Sequence, residues 1–176
     1  AYFRFNKNSY LPDIILARQG TRAMIALNKK KELEESRKEM TGLQQMLSII
    51  EGGTPPPISQ TLGFDLSEVS HGKAVFTGVP GEKHLNPLGT VHGGYAATLL
   101  DSALGCAIHT VLEPGERYTT VDLNIKYLRA MLPGMGKVTV TAEVVHKGRK
   151  IATSEGRLVG EDGKVYATGN TTCVIY

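Results

Sequence analysis

Apolar and polar positions alternate with two different periods along this chain, and the change of period marks its elements. From Tyr95 to Leu112 the stretch carries one carboxylate, Asp101. Ala96, Ala97, Leu99, Leu100, Ala103, Leu104, Ala107, Ile108 and Val111 leave it no polar face, which predicts a buried central helix over about 89–112. Beyond a turn at Pro114-Gly115 the period falls to two. Val121, Leu123, Ile125 and Tyr127 take one face of a strand over 118–127, and Asp122, Asn124 and Lys126 take the other. Strands are also predicted at 73–79, 138–145, 151–159 and 165–175, separated by turns at His71-Gly72, Pro133-Gly134, Lys147-Gly148 and Glu161-Asp162-Gly163. Antiparallel strands around one wholly apolar helix describe an α+β fold, a sheet wrapped around the helix.

Upstream the pattern is weaker. Residues 1–23 show no sustained period, whereas 26–50 reads as a helix with a solvated face at Lys29-Lys30-Lys31-Glu32-Leu33-Glu34-Glu35. Gly52-Gly53-Thr54-Pro55-Pro56-Pro57 breaks it. The expected organisation is an N-terminal extension over 1–39, not necessarily part of the native domain since Met40 would serve as a start, then a helix and Pro-rich linker over 40–57, then one domain over 58–176.

Charge agrees with this division. The net charge of +3 comes wholly from residues 1–40, where nine Lys/Arg face five Asp/Glu, so the remainder has no basic field for nucleic acid. Cys106 and Cys173 make no disulfide framework and suit a reducing, cytoplasmic setting. The five histidines show no ligand spacing, so no metal is expected, and no apolar run is long enough for a bilayer.

The chemistry concentrates in Asn86-Pro87-Leu88-Gly89-Thr90-Val91-His92-Gly93-Gly94 and the helix it opens. Glycines at a helix start leave backbone N–H groups at the positive end of the dipole, suited to an oxygen gaining negative charge, although they also permit close packing. Asp101 follows two turns on, and a carboxylate buried there is costly unless hydrogen-bonded or used in chemistry. His92 serves either as a cap or in direct chemistry.

Asn86, His92-Gly93-Gly94, Asp101 and Thr119-Thr120-Val121-Asp122-Leu123-Asn124 together resemble the hot-dog-fold acyl-CoA thioesterases of the PaaI-like (phenylacetyl-CoA thioesterase) group, over about residues 41–176. The resemblance implies an acyl-CoA hydrolase acting on a small or medium acyl or aryl thioester, with no cofactor. It implies that Asp101 is general base or nucleophile, that the Gly93 N–H polarises the carbonyl, and that Asn86 places water or the thioester oxygen. Thr120, otherwise an ordinary strand residue, would orient the attacking water. Gly94, Arg129, Lys147, Arg149 and Lys150 are the candidates for binding substrate, while Tyr95 and Leu99 are expected to line the acyl pocket. The alternative is a non-catalytic acyl-CoA sensor of the same fold; a dehydratase would need another His/acid spacing.

Helix geometry adds an expectation about assembly. Gly94 and Asp101 are seven residues apart, about 10 Å along one helix at ~1.5 Å per residue, too far for one carbonyl to meet both. A two-fold homodimer with shared active sites is therefore expected, and the resemblance implies that such dimers pair into tetramers.

Overall fold

A computed structural model describes Met24 and residues 38–52 and 55–176. Its contacts divide the chain into units of 1–39 and 40–176, and the sheet with its helices belongs to the second. The reading of 1–23 and most of the helix expected from residue 26 lie outside the described residues.

Unit 40–176 contains helices α1 (Gly42–Gly52) and α2 (Pro57–Leu62), strands β1 (Phe64–Ser70) and β2 (Lys73–Gly78), and the long helix α3 (Gly93–His109). Strands β3 (Tyr118–Tyr127), β4 (Val138–Lys147), β5 (Ile151–Gly160) and β6 (Val165–Ile175) follow. The strands form one six-stranded sheet in the order β1-β2-β4-β5-β6-β3, with every pairing antiparallel. Leu99, Leu100, Ala103, Leu104, Ala107 and Ile108 of α3 are fully buried, the first four among Phe64, Phe76, Val138, Val140 and Leu158. This is the hot-dog arrangement.

Three expectations need correction. The helix does not continue from residue 26 to 50, because the chain bends at Met40 and α1 starts anew at Gly42. Thr41 Oγ1 accepts the Gln44 N–H at 3.3 Å while Gln44 Oε1 accepts the Thr41 N–H at 2.8 Å, a reciprocal cap. Gly42 is required there, since a Cβ on it would lie 1.7 Å from the His109 carbonyl oxygen at the end of α3. Second, α3 is shorter than the predicted 89–112: His92 caps its start, and residues 89–91 belong to a loop.

Third, α3 does have an open face. Gly94, Ala97, Thr98 and Ser102 are half-buried and Asp101 is exposed, all on one stripe at spacings of three and four. Alanine hid this stripe, because it counts as apolar yet loses little when exposed. Strand β1 and helix α2, which carry no strong periodic signal, were not among the predicted elements.

Candidate active site

The loop before α3 is built by its own polar side chains. Asn86 Oδ1 accepts the Leu88 N–H at 2.9 Å and the Thr90 N–H at 3.3 Å, and Asn86 Nδ2 donates to Thr90 Oγ1 at 2.8 Å. One Nδ2 hydrogen remains for a ligand. The loop is tied to the body by the Val91 N–H donating to the Met131 carbonyl and the His92 N–H donating to the His84 carbonyl.

At the helix start the N–H groups divide. His92 Nδ1 accepts the Gly94 N–H at 2.9 Å, so the neutral ring carries its proton on Nε2 and the Gly94 N–H is already engaged. No acceptor among the described residues meets the Gly93 N–H. Of the two glycines, Gly93 is the one with a free donor at the positive end of the α3 dipole. It is fixed from the other side by Tyr127, whose Oη donates to the Gly93 carbonyl at 3.1 Å and whose ring would lie 3.1 Å from any Cβ at that position. Tyr127 read as the last apolar position of a strand, and nothing in the sequence linked it to Gly93.

Asp101 differs from the expectation in its setting. It is exposed on the open stripe of α3, and among the described residues no donor or cation reaches its carboxylate. Partial desolvation over the apolar helix nonetheless holds its pKa above the ordinary carboxylate value. Its charge is felt by its neighbours. Burial first, and Asp101 second, push the Cys106 thiol up to about 12. Asp101 also contributes to raising Tyr118 and Cys173, again after burial.

Thr120 comes to the helix side of the sheet through a break in the strand. Strict alternation would put Thr120 on the face opposite Val121 and Leu123. In the structure Thr120 lies opposite Cys173 and Asp122 opposite Thr172, leaving Val121 as an extra residue. The bulge shifts the alternation by one, so Thr120 shares the helix side with Leu123, its Oγ1 3.7 Å from the buried Cys173 Sγ, while Val121 turns out to 57% exposure. Thr120 is thus in contact with the Cys173 thiol, whose pKa the Asp101 charge also helps to raise, after burial.

The basic candidates separate. Arg129 lines a cleft of about 310 Å³ with Val91, Gly93, Tyr127, Leu128 and Met131, its guanidinium donating to the Val165 carbonyl. Lys147 is paired with Glu116 at 2.9 Å, whereas Arg149 and Lys150 are exposed at the β4–β5 turn. Tyr95 and Leu99, expected to line the acyl pocket, are 3% and 0% exposed within the core, on the sheet side of α3. A mainly apolar cavity of about 250 Å³ lies between α1 and the sheet, lined by Met46, Ile49, Ile50, Leu66, Phe76 and Cys106, with Ser59 and Asp65 also on its wall.

Residues 88–167 match the family model of the thioesterase superfamily. A mutant of the phenylacetic acid degradation protein PaaI from Thermus thermophilus superposes with a TM-score of 0.61 at 30% identity, over 68% of this chain and 98% of that one. The chain belongs to the thioesterase superfamily. Within it, this thioesterase-superfamily chain is 28% identical over 118 residues to the 1,4-dihydroxy-2-naphthoyl-CoA hydrolase of Listeria monocytogenes, over 67% of its own length and 94% of the relative's. It is 36% identical over 92 residues to mouse acyl-coenzyme A thioesterase 13, covering 52% of itself and 64% of that protein, just under two thirds. The family match begins at Leu88, two residues after Asn86, and takes in the rest of the loop, α3 and β3 to β5.

Proposed function

We propose that this protein hydrolyses the thioester of an acyl-CoA to the free acid and CoA. The observation that carries the reading is the Asp101 carboxylate on the open stripe of α3, which meets no donor or cation among the described residues, in a helix that opens on a Gly93 N–H with no acceptor among them. Asp101 takes a proton from a water held by Thr120, and that water attacks the thioester carbonyl. The Gly93 N–H and the remaining Asn86 Nδ2 hydrogen hold the oxyanion. Collapse expels the CoA sulfur, which receives the proton from Asp101.

The two halves of this machinery sit at opposite ends of a stretch of α3, so each site combines Gly93 and Asn86 of one chain with Asp101 and Thr120 of another. A homodimer follows, with pairing into a homotetramer as in the resembling family. The ten-residue strand β3 stands at an open edge of the sheet with Val121 and Tyr127 exposed, which supports edge-to-edge pairing there. The polar CoA portion meets Arg129 in the cleft beside Gly93 and Arg149 and Lys150 on the surface; Lys147 contributes less, being neutralised by Glu116. The Gly94 N–H supports the site through His92 and makes no direct contact with substrate. The cavity beside Cys106, five residues beyond Asp101, supports a small or medium acyl or aryl group. Free thiols at Cys106 and Cys173 support a reducing, cytoplasmic setting, and no helix among the described residues is long and apolar enough to cross a membrane.

The test is hydrolysis of a panel of short, medium, long and aryl CoA esters, followed by trapping of the released thiol. The parent protein turns over at least one class, and Asp101→Asn lowers kcat by about two orders of magnitude or more, the scale expected for loss of a general base. A folded Asp101→Asn protein with parental turnover would make Asp101 structural and refute this mechanism.

A further inference from the structure

An extra residue in one strand leaves backbone groups of both strands without their regular ladder partners. At Val121 two side chains take those places. Asp122 Oδ1 accepts the Thr172 N–H at 2.9 Å, and the buried Thr171 hydroxyl donates to the Asp122 carbonyl. Each strand thus lends the other one side-chain group, and both bonds converge on Asp122.

The bulge has a competitor. If the extra residue moved toward the start of β3, Val121 would come opposite Cys173, bury its exposed side chain on the helix side and carry Thr120 to the outer face. Burial of an exposed valine favours that register. The two side-chain hydrogen bonds made at Asp122 with the bulge at Val121 oppose it, with an effect of similar size. Without them, the apolar preference of the strand works against the position of the Thr120 hydroxyl.

We propose that Asp122 and Thr171 are positioning residues, which pin the bulge at Val121 and so keep the Thr120 hydroxyl on the helix side of the sheet, against Cys173. Neither touches the substrate. Their effect passes through Thr120, and the inference rests on the water-orienting role given to Thr120 above.

The experiment compares kcat and KM for the parent, Thr120→Val, Asp122→Ala, Asp122→Asn, Thr171→Val and Thr171→Ser, with the double variant Thr120→Val/Asp122→Ala. Thr171→Val preserves shape and guards against a poorly folded Asp122→Ala. Asp122→Ala and Thr171→Val are expected to lower kcat about tenfold, toward the Thr120→Val level, with KM changed by less than about twofold. Asp122→Asn and Thr171→Ser keep the acceptor and the hydroxyl and restore kcat to within about threefold of the parent. The double variant is no slower than Thr120→Val alone, because both changes remove the same group. Full turnover by Asp122→Ala and Thr171→Val while Thr120→Val is slow overturns the positioning role, as does multiplication of the two losses in the double variant. Full turnover by Thr120→Val instead overturns the role of Thr120 itself, and this inference with it.

Discussion

Asp101 keeps its proton more readily than an ordinary carboxyl because partial burial disfavours its charge and no donor or cation among the described residues compensates. A base works only when deprotonated, so kcat/KM falls as pH drops through this group's pKa. The inflection is expected above the ordinary Asp value of about 3.9 and should vanish from the residual activity of Asp101→Asn. Stability carries the opposite sign. A folded-state pKa above the unfolded one means that the ionised carboxylate opposes folding once pH exceeds both values. Asp101→Asn is therefore expected to raise Tm at pH 7, with the gain shrinking as pH falls through the window between the unfolded and folded pKa values. Thermal melts at several pH values check this, and a lower Tm for Asp101→Asn at neutral pH would show a hidden partner for the carboxylate. Gly93 is constrained differently, by the Tyr127 ring and hydroxyl on its far side.

Among the elements, α3 holds the sheet. Leu104 is fully buried and its side chain lies over the centre of β6, 3.4 Å from where a Cβ on Gly169 would sit, so Leu104→Ala should cost about 2–5 kcal/mol, read from urea unfolding. That role was legible in the sequence, as were β3 to β6 and their turns, because side chains of one size class recur there at a constant period. The open stripe of α3 was not, since Ala97 and Gly94 are as small as residues that pack inward. The bulge at Val121 was invisible for another reason: the alternation of β3 is regular in sequence, and only the register against β6 shows that one residue is supernumerary. The reciprocal cap of Thr41 and Gln44 could have been found from the spacing Thr-x-x-Gln, but the helical character of the preceding segment masked it. In the site, Asp101 and Gly93 stood out by residue type, whereas Tyr127 and Asp122 act through contacts between segments distant in sequence.

At the scale of the whole molecule, the separation of Gly93 and Asp101 along one helix is the basis of the shared-site dimer proposed above, and that dimer makes a prediction. Mixing Asp101→Ala with Asn86→Ala under subunit exchange, each inactive alone, is expected to recover activity, because a mixed dimer contains one intact site and one doubly damaged site. Absence of recovery with exchange verified by mass would confine the chemistry to one chain. The same separation bears on inheritance of damage. A chain that has lost both Asn86 and Asp101 spoils both sites of any dimer it enters. Equal amounts of such a chain and the intact one then leave about a quarter of the sites working, whereas self-contained sites would leave about half. With shared sites, a doubly damaged chain suppresses the intact one it pairs with.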